Sequence, residues 1–332
     1  RSNSTLRPSG NGFVTTCEAH DPVNIMAPLM KFNLSSVIDY NYMYVQNWDR
    51  YYWIDSWTYD KGIWLDGCVN HSNIKLYGST TSTGWSYGGG IAGACYGGTD
   101  ITADGVYGVH LTNCENKGTV SVLGGAKFRA GGVAGLNNCS AFYNCTHSGI
   151  VAMERKCVAA EYLGAIAGQM ENQYSIIDGC VNSGTVCTLF KTARETGDTT
   201  SNIYVLLGGI IGNGGGAKCV ISNCESRGKL LAAHDATLQY DDTNKNWVID
   251  QNTTVEYRAT IAGNCNKSLV VKDCKIGGYV GVVTGGDGEN KYEASVLHKL
   301  NNTEGDTYYY YRWLHGYNVI PKYSGMSFID VE

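Results

Sequence analysis

The stretch LTNCENKGTV, Leu111 to Val120, decides the fold, because five other stretches repeat its pattern. They are LDGCVNHSNI from Leu65, FYNCTHSGIV from Phe142, IDGCVNSGTV from Ile177, ISNCESRGKL from Ile221 and VKDCKIGGYV from Val271. Their cysteines align as Cys68, Cys114, Cys145, Cys180, Cys224 and Cys274. A large apolar residue stands three places before each cysteine, and Ile74, Val120, Val151, Val186, Leu230 or Val280 stands six places after it. Residues held apolar at fixed offsets in every unit face a common core.

A second element precedes five of the six: GGIAG at Gly89, GGVAG at Gly131, GAIAG at Gly164, GGIIG at Gly208 and ATIAG at Ala259. Each unit thus reads as a short glycine-flanked strand, a turn, a second short strand ending at the cysteine, and a connector of variable length. Helical repeats of this period are disfavoured, since each interior glycine costs a helix about 1 kcal/mol. A unit this small cannot bury its apolar face alone, so neighbouring units must stack. The expected architecture is all-β, a right-handed parallel β-helix (β-solenoid) of about five or six coils over residues 62–283. Residues 1–61 are expected as an aromatic-rich N-terminal cap and residues 284–332 as a Tyr-rich C-terminal cap or interaction segment, both outside the repeat, and the longest connectors, before Gly208 and Ala259, are expected as surface loops.

Two places after the cysteine stand Asn70, Asn116 and Asn182, with His147, Ser226 and Ile276 in the other units. Asparagine tolerates left-handed backbone and stacks its amide on an equivalent neighbour, so these residues are expected at a corner, in a ladder running from coil to coil.

The chain has 332 residues, 43 of them glycine and only four proline, with 43% hydrophobic residues. That is too apolar for a disordered chain and lacks the composition of a collagen. The net charge of -5, with no run of Lys or Arg, gives no footprint for nucleic acid. The most apolar segment, Tyr204 to Gly212, is about half the length of a membrane-spanning helix. No membrane span and no nucleic-acid partner are expected.

Thirteen cysteines without paired CxxC spacing argue for disulfides over a metal site, and no cofactor or metal is expected. Four units carry an extra cysteine ahead of the repeat cysteine, which suggests local staples joining Cys95 to Cys114, Cys139 to Cys145, Cys219 to Cys224 and Cys265 to Cys274. A column of reduced, buried cysteines is the competing arrangement. Disulfides place the chain outside the reducing cytosol, extracellular or at a cell surface. Glycosylation sequons point the same way, with candidate sites at Asn33, Asn70, Asn138, Asn144, Asn252, Asn266 and Asn301.

The alternation of GGIAG with NCENKGTV resembles the glycine-rich GLUG-like repeats of secreted or surface-anchored proteins, over about two-thirds of the chain. The resemblance implies a parallel β-helix on a cell surface or in extracellular material, in structural or adhesive roles. This chain departs from simple members in its extra cysteines and its aromatic ends. Those ends hold the interaction candidates Tyr51, Trp53, Trp57, Tyr309, Tyr311 and Trp313, residue types enriched at protein contacts and sugar-stacking surfaces. Copies of the chain itself, other surface proteins and carbohydrate are the expected partners.

Parallel β-helices also host polysaccharide lyases and glycosidases, and a carbohydrate-binding module is a further alternative. Trp53-Ile54-Asp55 faintly resembles a lyase motif but is followed by Ser56 where His is expected, and no carboxylate pair of glycosidase type recurs on adjacent units. Asp241-Asp242 reads as a solvated turn. Gly212 to Lys218 lacks the Ser/Thr of a phosphate loop, and Gly285 to Asn290 is a single weak Ca2+ candidate. No catalytic residue is assigned, and an enzyme is not expected.

Overall fold

The computed structural model describes residues 62–78, 84–97, 108–155, 157, 160–171, 175–189, 204–214, 219–233, 237–241, 246–250, 255–265, 269–284 and 289–299. It also describes short strands at 14–16, 18–19, 31–33 and 327–329. Among these residues the chain is nearly all β, with no α-helix and one 3-10 turn at Glu289–Tyr292. A full unit runs through five sheets in a fixed order before meeting itself again.

The unit that begins at Gly108 shows the path. It contributes Gly108–Thr112 to sheet I, Glu115–Asn116 to sheet II, Thr119–Val122 to sheet III, Lys127–Gly131 to sheet IV and Ala134–Asn138 to sheet V. The next unit returns to sheet I with Ala141–Tyr143, lying parallel and in register, with Leu111 opposite Phe142. The same relation holds throughout the repeat: Val120 pairs with Ile74 and Val151, Val151 with Val186, Val186 with Leu230, and Leu230 with Val280. The offsets read from the sequence are therefore ladder positions. Parallel pairing demands a long return path between partners, and each unit's other four sheets supply it.

The corners have a single cause. Gly67, Asn113, Asn144, Gly179, Asn223 and Asp273, with φ between 50° and 65°, immediately precede the six repeat cysteines. Gly, Asn and Asp are the residues that tolerate this left-handed backbone at least cost. The left-handed position expected at Asn70, Asn116 and Asn182 thus falls three residues earlier, and those asparagines sit on sheet II strands. Their expected ladder is present over three units: the Asn70 amide donates to Asn116 Oδ1 at 2.7 Å, and Asn116 Nδ2 lies 3.2 Å from His147 Nδ1, whereas Asn182 Oδ1 accepts from the Gly184 N–H of its own unit.

All but one of the glycines of the GGIAG-type elements at Gly89, Gly131, Gly164 and Gly208 prevent a collision; Gly93 is the exception. A Cβ on the first, Gly131, would stand 2.0 Å from the carbonyl oxygen of Ala134 across the bend between sheets IV and V. On the second, Gly132, it would strike His147 Nδ1 at 2.4 Å; Gly90 and Gly209 face Asn116 and Ser226 in the same way. On the last, Gly135 or Gly168, it would lie 2.6 Å from backbone atoms of sheet IV. The two sheets meet backbone to backbone at that column.

The ladder spans from sheet II to this bend and separates two apolar clusters. One holds Leu111, Phe142, Ile177, Ile221 and Val271 with the repeat cysteines; the other holds Phe128, Val151, Met153, Leu163, Val186 and Leu207. Segments outside the repeat extend three sheets. Glu18–Ala19 pairs with Val69–Asn70 on sheet II, Ser327–Ile329 with sheet I, and Ala294–Lys299 runs antiparallel along Tyr279–Val283 of sheet III. The connector before Ala259, expected as a loop, contains an antiparallel hairpin of Thr237–Asp241 and Asn246–Asp250, which places Asp241 on a strand.

Candidate functional site

The cysteines come first, because the expected staples are not made. Cys95, Cys114, Cys139, Cys145, Cys224 and Cys274 are buried thiols, so none of the four local pairs closes. The reason is geometric: a strand of sheet I runs between the members of each pair, as Ala141–Tyr143 does between Cys139 and Cys145, or begins at the first member, as Cys219–Ser222 does. At about 3.3 Å per residue, such a strand with its corners separates the Cα atoms beyond the roughly 7 Å a disulfide can bridge. The repeat cysteines instead form the column that was the competing arrangement. Cys145 Sγ donates to the carbonyls of Leu111 in the preceding unit and Tyr143 in its own, at 3.4 and 3.5 Å, and Cys114, Cys180, Cys224 and Cys274 repeat the pattern. Cys68, at the column's first position, is disulfide-bonded to a partner outside the described side chains. Burial pushes the thiols of Cys95, Cys139, Cys157 and Cys180 above their ordinary value, which keeps them protonated and poor nucleophiles.

Two sequons are also corrected. Asn70 is fully buried, and its Nδ2, the atom a glycan would modify, donates to Ser72 and Asn116. Asn138 is buried on sheet V. Asn144 is exposed at a corner. Asn33 ends the strand Lys31–Asn33, and Asn252, Asn266 and Asn301 lie outside the described residues, as do Tyr51, Trp53, Trp57, Tyr309, Tyr311, Trp313 and most of the Ca2+ candidate at Gly285. Among the described residues no group of three or more His, Cys, Asp or Glu is placed to hold a metal ion, and no helix is long and apolar enough to cross a membrane.

Among the described residues, aromatic and charged side chains gather on the outer faces of sheets IV and V. Sheet IV aligns Tyr87, Arg129 and Tyr162 in one column; sheet V aligns Tyr96, Asn138 and Glu171. Arg129, only 5% exposed, turns its Nη1 to Glu171 Oε2 at 2.9 Å and its Nη2 to Oε1 at 3.4 Å. Its guanidinium lies 4.3 Å from the centroid of the Trp85 ring and 5.3 Å from that of Tyr87. The Trp85 ring also meets Tyr162 at 4.7 Å, Tyr87 meets Tyr96 edge-on at 6.4 Å, and the Lys127 amine stands 5.8 Å from the Trp85 ring. Four aromatic rings are thus held around one forked ion pair. Flat rings offer stacking area at little entropic cost, and the carboxylate keeps lone pairs for further donors.

The signal that marks this cluster is visible only after alignment. Tyr87, Arg129 and Tyr162 each stand two places before the first glycine of their GGIAG-type element. Comparison of the sequence with protein-family models and with curated proteins finds no match.

Proposed function

We propose that the stacked units, each passing through the five sheets, are the coils of a right-handed parallel β-solenoid of about five or six turns. It serves as an extracellular structural or adhesive subunit, of the kind the GLUG-like resemblance implies, that associates with copies of itself or binds a surface ligand. The observation that carries this reading is the uneven covering of the sheet ends. Among the described residues, sheets I and III gain an added strand at one end and sheet II at the other, whereas sheets IV and V begin and end on repeat strands, Ser86–Gly89 and Ala92–Tyr96 at one end, Val255–Ala259 and Ala262–Cys265 at the other. A strand at a sheet's edge carries unpaired N–H and C=O groups that template another chain. Right-handedness follows from the strong rule for parallel crossovers. The extracellular address now rests on the Cys68 disulfide and no longer on local staples.

Sedimentation velocity over a wide concentration range tests the assembly. Species at multiples of the protomer mass that grow with concentration are expected; a strict monomer at the highest concentration would overturn self-association.

A further inference from the structure

We propose that the outer face of sheets IV and V around Trp85, Tyr162, Arg129 and Glu171 is a binding subsite for a neutral polysaccharide. The proposal rests on the ligand-binding half of the reading above and names the chemistry of the ligand.

The platform is rigid before any ligand arrives. Trp85 lies on the buried Arg129 guanidinium and against Tyr162, both from other units of the stack, so its indole is fixed from beneath while it stays partly open to solvent. Tyr96, 55% exposed and packed edge-on against Tyr87, extends the aromatic surface onto sheet V. Preset rings lower the entropy that binding must overcome. The C–H face of a pyranose stacks on such rings, and its hydroxyls need donors and acceptors beside them. Glu171 supplies the acceptor: its side chain is 34% exposed, and Arg129 orients it through the forked pair.

Charge selects the class of sugar. The Arg129 charge is matched by Glu171, and this carboxylate is the more open member of the pair. An acidic sugar would meet that carboxylate, which among the described residues the amine of Lys127, beside Trp85, offsets in part. A protein partner fits less well. The exposed aliphatic side chains among the described residues, Val296 and Leu297, lie on the strand added to sheet III and away from this face. The core of a protein interface is depleted in Glu and Lys, and this face holds Glu171 and Lys127 among its rings.

The test is affinity electrophoresis of the full chain through gels holding a neutral β-glucan, a neutral galactan or polygalacturonate, with sedimentation run in parallel. Retardation by at least one neutral polymer is expected. It should weaken roughly tenfold or more in Trp85→Ala, as for a central aromatic anchor, and several-fold in Glu171→Gln, with far-UV circular dichroism and sedimentation unchanged. No retardation by either neutral polymer, retardation by polygalacturonate alone, or equal retardation of parent and both variants would overturn the proposal. Loss of self-association in Trp85→Ala, with sugar retardation intact, would assign the face to contacts between copies instead. A monomer that still binds neutral sugar would refute assembly while leaving this proposal standing.

Discussion

At the scale of single residues, His147 is the most informative side chain, because it fills a ladder place that Asn70, Asn116 and Asn182 fill in other units. It is fully buried, and with its Nδ1 accepting from Asn116 the neutral ring carries its proton on Nε2. Burial pushes it down to about 4, well below its ordinary value. The unfolded chain therefore takes up the proton first, near pH 6.5. The histidine's contribution to stability is complete above that pH and is lost as pH falls toward 4, at about 1.4 kcal/mol per unit. Urea unfolding at pH 7, 5.5 and 4.5 is expected to show this loss, and His147→Asn is expected to remove that part of the slope. Asn116→Ala strips partners from Asn70, Gly118 and His147 together, and is expected to cost about 1–3 kcal/mol, read as a lower urea midpoint with an unchanged m-value. The ladder was legible in the sequence from recurrence alone. Its corner was not, because Asn113, Asn144 and Asn223 vary with Gly67, Gly179 and Asp273 and share only their left-handed backbone.

At the scale of elements, the bend between sheets IV and V sets the shape of the unit. Glycines at one motif position differ in what they face, which separates space from conformation. A Cβ on Gly135 would meet three backbone atoms at 2.6 Å, whereas on Gly93 it would meet one, at 3.5 Å. Gly135→Ala is therefore expected to destabilise by about 1–3 kcal/mol and Gly93→Ala by under about 0.5, measured by thermal and urea unfolding. The motif announced tight geometry in the sequence, but what each glycine avoids depends on a facing strand in another sheet. The four local disulfides failed for the same kind of reason. Recurrence of two cysteines in a unit says that both are structural; it does not say that they face each other, and an intervening strand separates them. The aromatic cluster escaped a linear reading because Trp85, Arg129 and Glu171 follow one another at separations of 44 and 42 residues and meet only through register.

At the scale of the whole molecule, the stack shelters its thiols. Cys114, Cys145, Cys180, Cys224 and Cys274 stand at equivalent places in successive units, all buried. In-register neighbours on parallel strands are about 4.8 Å apart, wider than the roughly 3.8 Å between Cβ atoms in a disulfide, so these five do not pair with one another. Iodoacetamide labelling followed by mass mapping is expected to leave these five unmodified in the native protein and to modify all of them in guanidinium. The account stands on the stacking itself, and one spectrum tests that most directly: methyl–methyl NOEs in a deuterated, Ile/Leu/Val-methyl-labelled sample. The column Ile74, Val120, Val151, Val186, Leu230, Val280 is expected to give contacts between each residue and its immediate neighbours in that order. Contacts that skip a unit, reverse the order or shift Val151 away from both Val120 and Val186 would contradict the stacked fold.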